Sequence, residues 1–317
     1  MQIIHGAHTL PHLKWPVATL GTFDGVHIGH RRILGETVSW ARQNGGEAIV
    51  ITFASHPRTI TSGTPAEFIT SLNHRLLLME RLGIDIAMVL DFDRQFAMMR
   101  AEEFVKTYFC SLISARGVVV GYNTRFGRNR AGDARLLAEM GKECGFSVRQ
   151  VEAVHIGSQT VSSTAIRRAI GEGRLERAAA MLGRPVSLYG TVVSGEGRGR
   201  QLGFPTANLD LYHETRPPAG VYAGCTAIDG RQHHVLISIG NQPTFHGASS
   251  PEIVEVYVID FHGDLYGRDM EVQFLARLRD QLQFQSADEL KGKIHQDIEE
   301  TRAIPLSPGN CSSRDAS

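Results

Sequence analysis

Two histidines near the start of the chain have the residue type and spacing that phosphate chemistry needs. His27 and His30 lie in the string GTFDGVHIGH at residues 21–30, which follows a short apolar run and leads into a helical pattern. Three positions apart on a helix, both side chains reach the same triphosphate. A strand, a glycine-rich turn and a helix start also point backbone N–H groups and the positive helix end at an anion. Imidazoles over a departing pyrophosphate would stabilise the charge that develops in nucleotidyl transfer.

A bare pair of histidines at this spacing has an ordinary alternative, as surface or helix-capping residues. The complete ten-residue string favours a nucleotide site instead, and we expect Gly21, Phe23 and Gly25 to lie against the nucleotide. Because the chain contains no GxxxxGK[ST] string, a P-loop does not hold the triphosphate.

Two further segments offer groups for the same nucleotide. VSSTAIR at residues 161–167 combines the hydroxyls of Ser163 and Thr164 at a predicted helix start with Arg167 one turn later. A cap, a helix dipole and a guanidinium form a phosphate clamp, whereas the alternative is plain capping with a solvated arginine. Asn123 follows an apolar run, where it can hydrogen-bond a base or a ribose; an exposed basic loop is the equal alternative.

A second set of phosphate-handling residues lies in GRQLGFPTAN at residues 199–208. Thr206 and Asn208 are two apart, so their side-chain oxygens face the same way in an extended segment. Such neutral oxygens suit Mg²⁺ together with phosphates and water. The glycines of this segment would form a flexible lid over the phosphates; they are Gly195, Gly197, Gly199 and Gly203. A glycine-rich hairpin without a metal is the alternative.

Glu255 is the one carboxylate within the apolar strand pattern at residues 253–259. Alternation places it on the face opposite Val254, Val256 and Val258. A carboxylate in such a strand costs stability unless it has a partner or a task. As a general base it would accept the proton of a hydroxyl that attacks a phosphate. The alternative is an edge-strand residue that reaches water.

The elements that must position these residues change in character along the chain. In the first half, short apolar runs alternate with helical patterns, which predicts an α/β domain with a parallel sheet covered on both faces. The predicted strands are 17–20, 48–53, 86–90 and 117–120, and the predicted helices are 33–44, 72–82 and 134–143. Ligands of such sheets bind outside the carboxyl ends of the strands, where the string 21–30 falls.

The second half reads as β-structure, which predicts a small antiparallel barrel or sandwich. Its predicted strands are 187–193, 221–228, 235–239, 253–261 and 270–274. Asp229-Gly230 and residues 262–264 are predicted hairpin connections. A closing helix begins with a capping box formed by Ser286 and Glu289. We expect the polar segment from residue 305 onward to be disordered.

Composition and length bound the class of protein. The chain has 317 residues, more than the roughly 250–300 that one core supports, which predicts two domains. With 33 basic and 33 acidic residues, it has no general attraction to nucleic acid or to an anionic membrane. We find neither a secretory signal nor the ~20 apolar residues of a membrane helix. The four cysteines (110, 144, 225 and 311) are too scattered for a zinc site, so we expect reduced thiols and a cytoplasmic protein.

Together these strings resemble those of the bacterial bifunctional riboflavin kinase/FAD synthetase family, over about residues 17–301. The first string is also similar to the HxGH signature of HIGH-type nucleotidyltransferases. The motifs that carry the resemblance are GTFDGVHIGH, TFASHPR, GYNTRFGRNRAG, VSSTAIR, GRQLGFPTAN and VEVYVIDF. The resemblance implies a Rossmann-like FMN adenylyltransferase domain at residues 1–183 and a riboflavin kinase β-barrel with a C-terminal helix at residues 184–304. A disordered tail at residues 305–317 follows.

The resemblance also implies the substrates and the residue roles. ATP would phosphorylate riboflavin to FMN, and a second ATP would adenylylate FMN to FAD with release of pyrophosphate, with Mg²⁺ in both steps. His27, His30 and Arg167 would act on the triphosphate, Glu255 would activate the ribityl 5′-hydroxyl, and Arg279 would contact flavin. These small molecules would be the only partners of a monomer or weak homo-oligomer. Five residues differ from the family's usual ones: Ala54, Ser55, Thr124, Gln281 and Gln283.

Three other interpretations compete with this one. The first is a kinase whose N-terminal domain binds nucleotide only to regulate, which the presence of His27, His30 and Arg167 disfavours. The second is a non-catalytic flavin-binding module, against which Glu255 is the discriminating residue. The third is a nucleotidyltransferase acting on tRNA or a lipid precursor, which the balanced charge and the fused barrel disfavour.

Overall fold

The computed structural model describes residues 1–8, 10–55, 67–195, 199, 202–212, 214–241 and 252–306. Gly197, Cys311 and the predicted disordered tail from residue 307 onward lie outside the described residues. The chain divides into two compact units, Met1–Ser163 and Thr164–Ser317. No helix in the described ranges is long and apolar enough to cross a membrane.

The first unit is built on a six-stranded parallel sheet with the order β1-β4-β3-β2-β5-β6. Its strands are β1 (Gln2–His5), β2 (Val17–Leu20), β3 (Ala48–Phe53), β4 (Ile86–Leu90), β5 (Gly117–Gly121) and β6 (Ser147–Val151). The four predicted strands are confirmed. The two edge strands, β1 and β6, were not predicted, because their residues are mostly exposed in the structure and carry no continuous apolar run in the sequence.

Helices connect these strands and cover the sheet. They are α1 (Ile28–Gln43), α2 (Leu72–Arg81), the short α3 (Arg94–Ala97) and α4 (Ala101–Phe104), and α5 (Ala134–Cys144). A π-helical stretch, Val105–Leu112, continues α4. The central strands β2, β3, β4 and β5 are buried along their whole length, as the near-continuous apolar runs predicted. A short antiparallel pair, β7 (His155–Ile156) and β8 (Gln159–Thr160), completes the unit.

The order of the strands decides which loops meet. Strand β2 pairs with β3 on one side and with β5 on the other, so the chain direction across the sheet reverses at β2. In open parallel sheets, a crevice for ligands forms at such a switch point, outside the carboxyl ends of the strands. The loops that follow β2 and β5 therefore start side by side at one edge of the sheet.

The expectation of reduced thiols is wrong for the described cysteines, none of which is a free thiol. Cys110 and Cys144 form a disulfide, with their Cα atoms 5.5 Å apart. The bond joins the π-helical stretch to the last residue of α5. The two cysteines are 34 residues apart in sequence, and only the packing of these two elements brings them within bonding distance.

The second unit contains a closed, six-stranded antiparallel barrel with the order β10-β13-β12-β11-β14-β9. Its strands are β9 (Ser187–Val193), β10 (Thr206–Leu211), β11 (Gly220–Ile228), β12 (Arg231–Asn241), β13 (Glu252–Val258) and β14 (Asp269–Arg279). The predicted barrel is confirmed, and closure removes the free strand edges that an open sheet would expose.

The two predicted hairpin connections have different outcomes. Asp229 and Gly230 join the paired strands β11 and β12 with positive φ angles of 49° and 76°, as a tight hairpin turn requires. Residues 262–264 do not close a hairpin. They belong to the connection from β13 to β14, and these strands pair with other neighbours in the barrel.

Three helices complete the second unit: α6 (Ser163–Gly171), α7 (Leu175–Leu182) and α8 (Ala287–Arg302). Ser163, the first residue of α6, is the last residue of the first unit. The predicted cap of α8 is present, since Ser286 Oγ accepts a hydrogen bond from the N–H of Glu289 at 3.2 Å. The Glu289 carboxylate accepts from the N–H of Gln285 at 2.9 Å, one residue earlier than a standard capping box. Ile294 and Ile298 of α8 pack against the outer face of the barrel, beside Leu236 and Phe204.

Candidate active sites

The turn between β2 and α1 has an unusual backbone. Phe23 and Val26 have positive φ angles of 50° and 39°, and Gly25 lies at φ 82°. A left-handed conformation is costly for a β-branched residue such as Val26 and persists only where the surroundings enforce it. A Cβ atom at Gly25 would lie 2.9 Å from Ile69 Cδ1, so packing as well as φ requires glycine there. This strained turn is a candidate site on structural grounds alone.

His27 and His30 are held against each other at the start of α1. His27 is the N-cap residue, and its Nδ1 accepts a hydrogen bond from the N–H of His30 at 3.3 Å. The two imidazole rings stack with their centroids 3.5 Å apart and 17° between their planes. The Phe23 ring packs edge-on against His30, with the centroids 5.3 Å apart. The predicted shared face of the two histidines is present as a ring stack.

The electrostatic setting of His30 keeps its ring neutral. Burial lowers the pKa of His30 well below 6.5, and the nearby His27 and Arg75 lower this pKa further. The Nδ1 atom of His30 is buried and has no hydrogen-bond partner among the described residues. A buried polar atom normally has a partner, so this atom is suited to a ligand that enters the turn.

Asp24 and Thr70 fix the turn, and neither residue was predicted from the sequence. The Asp24 carboxylate accepts hydrogen bonds from the N–H groups of Ile69 at 2.8 Å and Thr70 at 3.2 Å. The N–H of Gly25 donates to Thr70 Oγ1 at 2.9 Å. The Ser163 hydroxyl donates to the carbonyl of Asp24 at 3.0 Å, which brings this predicted nucleotide residue to the turn. The signal in the sequence that could have identified Asp24 is an acidic residue inside the string at residues 21–30.

The other predicted residues of the first site have different positions. Gly21 directly follows β2, at the start of the same turn. Asn123 is exposed in the loop after β5, at the switch-point edge of the sheet. Thr164 and Arg167 lie on α6 in the second unit, where Thr164 is exposed and Arg167 is half-buried. Their part in the first site remains a prediction.

In the barrel, Asn208 and Glu255 lie directly opposite each other on β10 and β13. Opposed residues on neighbouring strands project from the same face of a sheet. Both side chains are half-buried, whereas Val254 and Val256 on the alternate face are buried inside the barrel. The alternation predicted for Glu255 is confirmed, and its carboxylate lies on the outer face beside Asn208. Thr206 is on this face too, opposite Tyr257.

Two glycines pack closely against the polar side chains of β10. A Cβ atom at Gly195 would collide with the side-chain amide of Asn208, and one at Gly199 would lie 3.0 Å from Thr206 Oγ1. The N–H of Phe204 donates to the carbonyl of Gly199 at 2.8 Å, which closes the loop before β10. The lack of a side chain at Gly195 and Gly199 therefore leaves the space that the side chains of Asn208 and Thr206 need. Gly203, with φ 92°, requires the left-handed conformation that glycine readily adopts.

A cleft of about 380 Å³ adjoins Thr206. The residues that line it come from β9, β10, β13 and the segment after β13; they are Val192, Pro205, Thr206, Ala207, Val256, Val258, Phe261, Gly263, Asp264, Leu265 and Tyr266. An apolar wall with two aromatic rings and a polar end suits a flat base joined to phosphates. Local sequence patterns do not predict this cleft, because its walls come from strands that are distant in the sequence.

Arg279, the predicted flavin contact, is held in an ion pair. Its guanidinium binds the Asp297 carboxylate of α8, with an Nη2–Oδ2 distance of 2.8 Å. The two side chains are 13 % and 1 % exposed, so water screens the pair little. Lys293 Nζ lies 3.5 Å from the same carboxylate. Arg279 thus joins the end of β14 to α8, and its role toward flavin remains a prediction.

The side-chain atoms available as ligands limit the kind of metal ion that the barrel can bind. Across the described ranges, no group of three His, Cys, Asp or Glu side chains is arranged to hold a metal ion. Thr206 and Asn208 offer two neutral oxygens, with one carboxylate, Glu255, opposite. This set fits a cation that arrives with nucleotide phosphates and keeps several waters, as Mg²⁺ does.

Comparison with known proteins identifies the relatives of both units. A family model described as FAD synthetase matches residues 11–165, and one described as riboflavin kinase matches residues 182–305. The chain is 35% identical to a bifunctional riboflavin kinase/FMN adenylyltransferase of Listeria monocytogenes, with 96% of this chain and 98% of that protein covered. It is 33% identical to the protein of the same description from Haemophilus influenzae, with 96% and 99% covered.

A solved structure has the same fold over nearly the whole chain. It is a crystal structure described as a macrolide-efflux protein from Streptococcus pneumoniae, with a TM-score of 0.81 and 31% identity. The likeness covers 96% of this chain and 100% of that one. The efflux description belongs to that protein and is not carried over. From the near full-length identity and the two matching family models, the chain belongs to the bifunctional riboflavin kinase/FMN adenylyltransferase family and carries both activities.

Proposed function

We propose that the two activities use two separate sites, one in each unit. The turn after β2 carries FMN adenylylation, and the outer face of the barrel at β10 and β13 carries riboflavin phosphorylation. We assign residues 1–183 to the adenylyltransferase domain and residues 184–304 to the kinase domain, a division that differs from the two compact units by counting α6 and α7 with the first domain. The observation that carries this proposal is that each unit holds its own set of groups for phosphate chemistry.

In adenylyl transfer, a phosphate oxygen of FMN attacks the α-phosphorus of ATP. The new bond is O–P, the bond to the β-phosphate oxygen breaks, and pyrophosphate leaves. His27 and His30 lie at the positive end of α1, where the leaving pyrophosphate accumulates charge. A neutral His30 imidazole acts there as a hydrogen-bond partner, which fits its lowered pKa and its buried Nδ1. No covalent enzyme intermediate is needed.

The residues around the turn would position the nucleotide. Ser163 is bonded to the Asp24 carbonyl, so its hydroxyl lies beside the turn. Asn123 is exposed at the switch-point edge, where it is accessible to a base or a ribose. We assign Thr164 and Arg167 to the same nucleotide on the basis of the VSSTAIR string.

In phosphoryl transfer, Glu255 accepts the proton of the ribityl 5′-hydroxyl. The hydroxyl oxygen then bonds to the γ-phosphorus of ATP, the bond to the β–γ bridging oxygen breaks, and ADP leaves. The opposition of Asn208 and Glu255 supports this assignment, because it places a phosphate-side group and a base on one face. Arg279 would contact the flavin from the end of β14.

Thr206 and Asn208 would hold the Mg²⁺ of Mg-ATP in the barrel site. When bound, the cation neutralises phosphate charge. The cleft beside Thr206 would take the adenine, with Phe261 and Tyr266 available for ring contacts. We further propose a cytoplasmic enzyme that is a monomer or a weak homo-oligomer.

One assay tests both halves of the proposal. The purified chain is incubated with riboflavin, ATP and Mg²⁺, and the products are separated by chromatography over time. We expect FMN to appear first and FAD to follow, and we expect neither product when EDTA removes the cation. Consumption of ATP with release of neither flavin nucleotide would refute the proposal.

A further inference from the structure

Arg75 is the largest fully buried side chain in the described part of the protein. It lies on α2 with none of its surface exposed. Arginine is almost never fully buried unless it is paired, since burying its charge is costly. It also remains charged at any pH at which the protein is folded. The groups that this buried charge contacts therefore bear on its role.

The guanidinium of Arg75 joins the ends of two neighbouring strands. Its Nη1 donates to the carbonyl of Thr22, and its Nη2 donates to the carbonyl of Phe53 at 3.0 Å. Thr22 lies in the turn after β2, and Phe53 is the last residue of β3. The guanidinium also lies over the Phe68 ring, 4.8 Å from its centroid. The planar fork of arginine suits this geometry, because it reaches two carbonyls at once.

The charge of Arg75 also acts on the histidine pair. Among the described residues, the charges that lower the pKa of His30 are those of His27, in its own turn, and Arg75, from α2. The positive guanidinium therefore lies close enough to His30 to act on it, and it is hydrogen-bonded to the carbonyl of Thr22 in the same turn.

We propose that Arg75 is a positioning residue for adenylyl transfer: it sets the turn that carries His27 and His30 and places a permanent positive charge behind it. This inference rests on the proposed adenylyl site. The hydrogen bond to the Thr22 carbonyl supports the positioning role, and the effect of the guanidinium on the pKa of His30 supports the electrostatic one.

Two substitutions separate the effect of the hydrogen bonds of Arg75 from the effect of its charge. Arg75→Gln keeps an N–H donor but removes the positive charge. Arg75→Lys keeps the positive charge but loses the planar guanidinium that reaches two carbonyls at once. The measurements are kcat and KM for ATP in FAD formation from FMN, and the pH profile of this reaction. Riboflavin phosphorylation by the same protein is the internal control. Arg42→Gln, at an exposed ion pair with Asp85 in the same unit, is the matched variant.

We expect Arg75→Gln to lower kcat by about 100-fold, because a small misplacement of catalytic groups has an effect of this size. We expect kcat of Arg75→Lys to be at least tenfold higher than kcat of Arg75→Gln. In Arg75→Gln, the limb of the pH profile that belongs to His30 moves to higher pH, because a neighbouring positive charge is gone. In Arg75→Lys and Arg42→Gln this limb stays in place, and riboflavin phosphorylation is unchanged in all three.

The parent rate and pH profile in Arg75→Gln would overturn the inference. Equal losses in the glutamine and lysine variants with an unmoved pH profile would reduce Arg75 to a structural tether and also overturn it. Loss of riboflavin phosphorylation in both variants would show a general folding defect, with the same consequence. If His27→Ala still makes FAD at the parent rate, the proposed site itself is wrong. If His27→Ala loses FAD formation and Arg75→Gln keeps it, the proposed site stands and only the role of Arg75 is refuted.

Discussion

Asn208 and Glu255 face each other across the ladder between β10 and β13, on the outer face of the barrel. Directly opposed residues in an antiparallel pair have Cβ atoms about 4.5–5.5 Å apart. The spacing between the proposed magnesium ligand and the proposed base is thus set by backbone hydrogen bonds. Because both groups are on regular strands, no loop has to close to bring them together.

The first prediction concerns the base. We expect Glu255→Gln to lower the rate of FMN formation by about 100-fold or more, because the amide cannot accept the hydroxyl proton. Binding of riboflavin persists, since the side chain keeps its size. FAD formation from added FMN by the same protein is the control and stays at the parent rate. Undiminished FMN formation in this variant would refute the role of Glu255.

The second prediction concerns the close packing of Gly195 on Asn208. A Cβ atom at position 195 collides with the Asn208 amide, so Gly195→Ala displaces that side chain. We expect a rise in KM for Mg-ATP in the kinase reaction of about tenfold, with FAD formation from FMN unchanged. Gly292→Ala is the matched control, because position 292 on α8 has open space around it. Equal kinetics of the two variants would contradict the packing argument.

The third prediction concerns the histidine pair. His27→Ala removes one ring of the stack and the cap of α1, and we expect FAD formation to fall by about 100- to 1000-fold. Loss of the cap contributes about 1 kcal/mol of instability, which is too little to unfold the unit. The assay follows adenylylation of FMN, and riboflavin phosphorylation is the internal control. His155→Ala, at an exposed position in the same unit, is expected to behave as the parent.

The fourth prediction follows from the lowered pKa of His30. In the unfolded chain this ring titrates near 6.5, whereas in the folded unit its pKa lies well below that value. Between the two pKa values, only the unfolded chain binds the proton. The free energy of unfolding of the first unit therefore falls as the pH drops below 6.5, by at most about 1.4 kcal/mol per pH unit from this ring.

Tryptophan fluorescence can measure this effect in the intact protein. The chain has 2 tryptophans, Trp15 and Trp40, and both lie in the first unit. Urea unfolding at about pH 7 and about pH 5.5 gives the two free energies. We expect His30→Gln to lose less stability on acidification than the parent. The same loss in both proteins would contradict the titration of His30.

The fifth prediction concerns the disulfide. Without reductant, a denatured sample treated with an alkylating reagent should leave Cys110 and Cys144 unmodified, and peptide mapping should recover them as one linked pair. Reduction before alkylation should label both. In the chain-entropy model, loss of this link lowers stability by about 2–4 kcal/mol. Complete labelling without reductant would show that the thiols are reduced, as the sequence analysis expected.

Much of the fold was predictable because it depends on local patterns. Apolar runs marked β2, β3, β4 and β5 as buried strands, since a parallel sheet covered on both faces needs them apolar throughout. The capping pair Ser286 and Glu289 marked the start of α8 in the same way. The edge strands β1 and β6 were not predicted, because their mostly exposed residues mix polar and apolar types as loops do.

The candidate site residues show the same division between what local patterns predict and what depends on tertiary contacts. The sequence alone determined which residue types are present at which spacing: the histidines three apart, the Thr206–Asn208 pair, and a carboxylate in an apolar strand. Local periodicity extends over a turn of helix or a few strand residues, so it identifies faces but not partners.

Only the tertiary structure decided which of these groups meet. The order of the strands placed Asn208 against Glu255, and packing brought Cys110 to Cys144. Asp24 and Arg75 acquired their partners from segments about 45 and 22 to 53 residues away. Contacts of this kind depend on how a whole sheet or barrel closes, because strand pairing is set by the burial of the complete core rather than by any short segment.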